Sequence, residues 1–104
     1  MIYNLSITEK AEKQLDELVN YLLFKLMNRQ AAAHLLDSVE RMYDLLEENP
    51  LQFSYSKDPY LASKGYREAM LMDMRYRIIF SVEGSKVYVK GIFHELEQYK
   101  HKIY

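Results

Sequence analysis

The residues of this chain best suited to chemistry are basic and aromatic, and they lie in its second half: Arg67, Arg77 and His94. An arginine guanidinium binds a phosphate through parallel hydrogen bonds and keeps its charge. A histidine titrates near neutral pH and can serve as an acid or a base. Cleavage of an RNA phosphodiester needs a base for the 2′-hydroxyl, positive charge for the phosphorane and an acid for the leaving oxygen. Arginine and histidine together could supply these functions.

Their positions favour convergence if the strands that carry them are neighbours. Arg67 lies on the first of three late strand-like segments, Arg77 lies on the second, and His94 ends the third. The alternative is purely structural. The arginines would then pair with acids on the sheet surface, His94 would be an ordinary strand-end residue, and Tyr99 would pack the C-terminal tail onto the sheet. The acids within reach on the late strands are Glu68, Asp73 and Glu83.

Composition excludes several other kinds of chemistry. The chain has 104 residues and a net charge of -1, which fits one soluble domain. It has no cysteine, so disulfides, Cys-ligated zinc and thiol nucleophiles are excluded. The histidines at 34, 94 and 101 lack metal-ligand spacing, so we expect no metal and no cofactor. With no secretory signal and no membrane-spanning apolar segment, a cytoplasmic location is predicted.

The first half of the chain predicts a short strand followed by two long helices. Residues 2–7 alternate as a strand does, and Thr8 is suited to cap a helix. Apolar residues then recur at intervals of three and four in two stripes, separated by a turn at residues 28–30 and ended by Asn49-Pro50. The helices would form an antiparallel hairpin over about residues 8–48. The stripes comprise Ala11, Leu15, Leu18, Leu22 and Leu26, then Ala32, Leu35, Val39, Met42 and Leu46.

The second half predicts an irregular loop and an antiparallel sheet. Residues 49–65 contain both prolines and no clean period. Strands follow at about 66–73, 75–82 and 86–93, joined by a tight turn and a glycine-bearing hairpin, and residues 95–104 form a polar tail. The expected fold is α+β, with the helices on one face of the sheet and Arg75 and Arg77 on a partly open opposite face.

Several of these segments together resemble the RelE/ParE superfamily of bacterial type II toxins. The resemblance covers nearly the whole chain. It rests on Leu-Leu-Glu-Glu-Asn-Pro at 45–50, Gly-Tyr-Arg at 65–67, Tyr-Arg-Ile-Ile-Phe-Ser-Val at 76–82 and Gly-Ile-Phe-His at 91–94, with Tyr99 beyond. It implies a single toxin domain, 1–104, which is bound by a cognate antitoxin. Open sheet edges and exposed apolar side chains on the toxin alone would favour self-association when the antitoxin is absent.

The superfamily contains two functional classes, and the resemblance leaves both open. RelE-like members cleave mRNA on the ribosome without a metal. That class would place Arg77 and Arg67 on the phosphate, His94 as acid or base, and Tyr99 on the nucleobase. ParE-like members instead poison DNA gyrase through a protein interface. A third possibility is a non-toxic or decayed binding module. The leading expectation from the sequence is the mRNA endonuclease, with gyrase inhibition as the alternative.

Two departures from the RelE-like pattern favour the ParE-like class. The isoelectric point is near 6.3, whereas RelE-like chains are usually strongly basic. Glu95, Leu96 and Glu97 follow His94 where many RelE-like chains carry Arg or Lys, and acids there repel a phosphate. The long helical hairpin is also more typical of ParE.

Overall fold

The structure, a computed structural model, describes residues 2–71 and 75–94. The strands are β1 (Asn4–Ile7), β2 (Arg67–Met70), β3 (Tyr76–Glu83) and β4 (Lys86–His94). The α-helices are α1 (Glu9–Asn20), α2 (Arg29–Glu48) and α3 (Pro59–Ser63). A π-helical turn over Tyr21–Lys25 continues α1, and a short 3₁₀ turn over Pro50–Gln52 follows α2.

Polar caps define where the two long helices begin. The Thr8 side chain accepts a hydrogen bond from the Ala11 amide at 3.1 Å, and Asn28 does the same for Ala31 at 3.0 Å. Each cap satisfies an amide that the first helical turn leaves without a partner. Because Asn28 is a cap, α2 begins one residue later and the turn lies at residues 26–28. The predicted turn at 28–30 was therefore two residues too late.

The described strands form one sheet in the order β1-β4-β3-β2. β1 pairs with β4 in parallel, whereas β2 and β4 both pair with β3 antiparallel. Lys90 is an extra residue in β4, because Ile79 lies opposite Gly91 while Phe80 lies opposite Val89. The mostly antiparallel sheet and the preceding helical hairpin confirm the predicted α+β fold. The predicted turn at Asp73-Met74 lies outside the described residues.

The apolar stripes of the helices meet one face of this sheet. Alternate residues of β3, namely Tyr76, Ile78 and Phe80, join buried residues of α1 and α2 in one core. Side chains three or four residues apart share one face of a helix, and side chains two residues apart share one face of a strand. These spacings place the apolar residues of both kinds of element at the contact. The buried helical positions are Ala11, Leu22, Ala32, Leu35, Val39, Met42 and Leu46, as the stripes predicted.

The opposite face of the sheet is less open than the sequence indicated. Ile79 and Phe93 are completely buried there, and Ser81 is also buried. The predicted alternation along β3 is confirmed, but alternation shows only that two faces differ. It does not show which positions of a partly open face are covered: Arg75 is exposed, as expected, whereas the burial of Ile79, Ser81 and Phe93 was not predicted.

The connection between α2 and β2 is ordered by local caps and by β2 itself. Asp58 caps α3 by accepting hydrogen bonds from the Tyr60 and Leu61 amides, and Leu61 is completely buried. Tyr55 forms an antiparallel bridge with Arg67, which covers part of the outer edge of β2. The segment predicted as irregular is therefore attached to the sheet beside the candidate residue Arg67.

Stability at high pH should depend on Tyr43 of α2. Burial raises the pKa of Tyr43 from 10.0 to about 12, and the negative charge of Glu12 adds to the shift. Between these values the unfolded chain loses the tyrosine proton while the folded chain keeps it. The free energy of unfolding should therefore fall as the pH rises from 10 to 12.

Urea unfolding of wild type and Tyr43→Phe across this pH range checks the prediction. The variant cannot ionise at position 43, so it should lose less stability than wild type. Glu12→Gln removes the second cause of the pKa shift and should give an intermediate slope. Equal losses in wild type and Tyr43→Phe would contradict the prediction.

Candidate functional site

Arg77 is held in a largely buried ion pair with Glu68. Its Nη1 lies 2.7 Å from Glu68 Oε2, and the two side chains are 18% and 9% exposed. This is one of the pairings that the structural alternative predicted from the sequence. A guanidinium already engaged by a carboxylate in a low-dielectric setting is poorly placed to receive a phosphate, because the two anions would compete for it.

The ion pair extends into the connection that precedes β2. Ser56 donates a hydrogen bond from Oγ to Glu68 Oε1 at 2.8 Å, and the Asp58 amide donates to Ser56 Oγ at 3.1 Å. Glu68 thereby joins β3 to the segment that leads into α3. Within the described ranges, Arg77 Nε is buried without a hydrogen-bond partner. The terminal nitrogen Nη1 therefore anchors the guanidinium, and these contacts of the network are structural.

Arg67 is engaged by a different part of the same connection. Its Nη1 donates a hydrogen bond to the Phe53 carbonyl oxygen at 2.6 Å. Its guanidinium carbon lies 4.1 Å from the centroid of the Tyr55 ring, which is a cation–π contact. The Phe53 ring in turn packs edge-on against Phe80 at 6.0 Å. Arg67 thus ties the edge strand β2 to residues 53–55.

The strand register places Arg67 and Arg77 on opposite faces of the sheet. Arg67 lies opposite Phe80, whose side chain belongs to the core beneath the helices. Arg77 lies opposite Phe93 and alternates with the core-facing residues of β3. Residues directly opposite each other in antiparallel strands share a face. The two arginines therefore cannot bind one phosphate group from the same face of the sheet.

His94 lies on the helix-facing side of the sheet, beside Tyr76. The two rings are 5.4 Å apart and nearly perpendicular. Arg67 lies on the same face, but it pairs with Phe80, four residues along β3 from Tyr76, the partner of His94. Arg67 and His94 are therefore about 13 Å apart along the strand direction and, being two strands apart, about 10 Å apart across the sheet. Tyr99 lies outside the described residues. The structure therefore does not bring Arg67, Arg77 and His94 together.

Among residues 2–71 and 75–94, no group of three or more His, Cys, Asp or Glu side chains could hold a metal ion. No helix in these ranges is long and apolar enough to cross a membrane. An open groove of about 530 Å³ runs between α1 and the end of β4. Gln14 in this groove accepts a hydrogen bond from the Ile92 amide at 3.2 Å. This bond satisfies a backbone amide of β4 beyond Val89, where the pairing of β4 with β1 ends.

The end of the helical hairpin is more exposed than its periodicity predicts. Tyr21, Phe24, Leu26 and Met27 all expose more than half of their side-chain surface there. The spacing of Leu26 fits the buried stripe of an α-helix, so its predicted burial was wrong. The signal that could have identified the region is the unbroken apolar segment Tyr21–Phe24, which surrounds the helix instead of following one face.

Comparison with known proteins then establishes the family. A sequence model described as the ParE toxin of the type II toxin-antitoxin system parDE matches residues 5–99. The chain belongs to the ParE toxin family. It is therefore the toxin component of a type II toxin–antitoxin system. No curated protein is significantly similar to this toxin in sequence.

Solved structures agree with the fold of this ParE-family toxin. It is similar to a chain of the chromosomal ParDE system of P. aeruginosa, with a TM-score of 0.72 and 20% identity over 89% of this chain and 96% of that one. It is also similar to a chain of the toxin–antitoxin complex RelBE2 of Mycobacterium tuberculosis, with a TM-score of 0.61 and 18% identity over 90% and 99%. At these identities the likeness concerns the fold, which confirms the RelE/ParE superfamily architecture.

Proposed function

We propose that this toxin acts by binding and inhibiting DNA gyrase, as the ParE-like class does, and not by cleaving mRNA. The observation that carries the proposal is the pairing of Arg77 with Glu68 at 2.7 Å, on the face of the sheet opposite Arg67. The basic residues that a phosphodiester site would need are each engaged in structural contacts, and they face different ways. A protein interface requires no such convergence.

Electrostatics support the same conclusion. The toxin carries a net charge of -1, with nine acids and five bases in residues 1–50 and six acids and nine bases in residues 51–104. A protein that binds RNA on the ribosome gains affinity by releasing counterions from several phosphates, which needs several available cations. Here one cation of the second half is neutralised by Glu68, and another lies against Tyr55.

A cognate antitoxin is the second partner in this proposal. The family is defined by toxin–antitoxin pairing, and one of the similar solved structures is itself a toxin–antitoxin complex. The groove between α1 and β4 is suited to an extended antitoxin segment, because both apolar and charged side chains line it. Its lining includes Leu18, Ile92 and Phe93 with Lys10 and Lys13. Both partners imply a cytoplasmic location for the toxin.

Two parallel assays with the purified full-length toxin test the proposal. The first measures ATP-dependent supercoiling of relaxed plasmid by purified gyrase, and the second measures protein synthesis in a reconstituted translation system. We expect the toxin to inhibit supercoiling and to leave translation and the mRNA intact. The matching experiment in induced cells is pulse labelling, in which DNA synthesis should fall before protein synthesis. Cleaved mRNA with active gyrase would overturn the proposal in favour of the nuclease.

A further inference from the structure

The free end of the helical hairpin exposes large apolar side chains. This hairpin tip, residues 21–29, contains Phe24 and Met27, which are 74% and 80% exposed, and Leu26, which is 53% exposed. Isolated exposed apolar residues are common, but a contiguous group within one turn of chain marks an interaction surface. Folding leaves these apolar surfaces in water, so burying them against a partner would contribute favourable free energy to binding.

The backbone of the hairpin tip departs from regular helix in two ways. The Leu26 amide donates a hydrogen bond to the Tyr21 carbonyl at 3.1 Å, which widens the helix to a π-helical turn. Met27 then adopts a left-handed conformation with φ of 52°, a position that glycine usually occupies at the end of a helix. Both features are concentrated at functional sites, because they store strain that a more regular sequence would avoid. The widened turn also carries Leu26 out of the buried stripe.

The charge of the hairpin tip is opposite to that of the rest of residues 1–50. No Asp or Glu lies between Glu17 and Asp37, whereas Lys25 and Arg29 are both exposed there. Residues 1–50 contain nine acids and five bases, so removing these two bases leaves nine acids against three in the rest of that half of the chain. The hairpin tip is therefore a cationic, apolar surface formed by a short segment of an otherwise acidic half of the chain. Its electrostatic complement is an apolar site with an acidic rim.

We propose that the hairpin tip is the surface with which the toxin enters an apolar, acid-rimmed pocket on its target protein. The tip is a protruding end of two helices, so it matches a concave site on a folded protein better than it matches an extended peptide. This inference takes only the identity of the target, gyrase, from the proposed function. The mode of binding follows from the tip itself: Phe24 and Met27 provide the buried contact, and Arg29 provides the charge contact.

A matched pair of double variants tests the apolar contact. Phe24→Ser/Met27→Ser removes the two most exposed apolar side chains of the hairpin tip. Ile2→Ser/Leu51→Ser changes two residues that are 80% and 52% exposed at the opposite end of α2, about 30 Å away. Because all four side chains are exposed, both variants should fold with the wild-type circular dichroism spectrum and melting temperature.

A second pair of variants tests the charge. Arg29→Glu reverses a charge in the first turn of α2, where a glutamate favours the helix, so a loss of function could not be assigned to unfolding. Lys57→Glu makes the same change at an exposed position outside the hairpin tip. Binding of purified gyrase to each immobilised variant is measured at low and high salt. We expect Arg29→Glu to weaken binding at least tenfold at low salt, with a smaller effect at high salt, and Lys57→Glu to have no effect.

Growth arrest of induced cells is measured alongside gyrase inhibition for all four variants. Loss of growth arrest and at least tenfold weaker gyrase inhibition in both tip variants, with both controls at wild-type levels, supports the proposal. If wild type arrests growth without inhibiting gyrase while the tip variants do not arrest growth, gyrase is the wrong target and the hairpin tip is still the target surface. Full growth arrest by folded tip variants would overturn the proposal. Sedimentation of the tip variants would then show whether a second copy of the toxin occupies the hairpin tip. Neutralisation of the variants by a co-expressed antitoxin would show whether the antitoxin does.

Discussion

Replacing Arg77 with methionine is expected to lower the free energy of unfolding by about 3 kcal/mol. The substitution leaves the Glu68 carboxylate, which is 9% exposed, without its cationic partner at 2.7 Å. An unpaired buried charge costs far more than the net value of the pair, since the desolvation of the remaining ion is no longer offset. Urea unfolding measures the loss. Arg75→Met, at an exposed position beside β3, is the control and should change stability by no more than about 0.5 kcal/mol.

Adding a substitution at Glu68 to Arg77→Met distinguishes a structural role of Arg77 from a catalytic role. Glu68→Gln/Arg77→Met removes both charges and keeps an oxygen that can accept the Ser56 hydrogen bond. Most of the lost stability should return, because no buried ion remains. If Arg77 is structural, growth arrest in induced cells should return with stability. A stable double variant that no longer arrests growth would show that the guanidinium acts directly, and it would restore the nuclease interpretation.

Replacing Phe80 with alanine should cost about 4 kcal/mol of unfolding free energy. Phe80 is completely buried, and its ring is among the largest side chains in the core. Phe53 packs edge-on against it at 6.0 Å and presents the carbonyl that Arg67 binds. The substitution therefore opens a cavity in the core and also loosens the connection that holds Arg67 against β2.

Phe24→Ala is the matched control for Phe80→Ala. It removes the same ring from a site that is 74% exposed, so the free energy of unfolding should change by no more than about 0.5 kcal/mol. The two variants should also differ in function, since we assign Phe24 to target binding and Phe80 to the core. Equal stability losses in the two variants would contradict the assignment of the helix-facing side of the sheet as the core.

The contacts of the two candidate arginines are structural in this chain. The resemblance to RelE-like toxins implies that Arg67 and Arg77 bind a phosphate, but in the structure Arg67 fastens the connection before β2 to the sheet, and Arg77 pairs with Glu68, which accepts a hydrogen bond from that connection. The same residue types that bind a phosphate also bind a carboxylate and stack on a tyrosine ring. Residue type and spacing therefore identify the superfamily better than they identify the reaction.

Local patterns in the sequence were sufficient to predict the order of the main elements and most of the core. Apolar periods of three to four in α1 and α2, and of two in β3, require one buried face on each element, and a hairpin of helices must cover a sheet to bury them. Short-range signals were also sufficient for the Thr8 cap and for the end of α2 at Pro50. Each of these depends on residues within a few positions of one another.

The proximity of the candidate residues depends on how the strands pair, which local patterns do not specify. The register between β2 and β3 places Arg67 opposite Phe80 and Arg77 opposite Phe93, so the two guanidinium groups face opposite sides of the sheet. A shift of one residue in that register would have reversed a face, and no local pattern specifies it. The exposure of Leu26 likewise depends on a π-helical turn, which shifts the helical phase by one residue. Local periodicity decides which side chains are buried, whereas strand register and helix phase decide which of them face the same way.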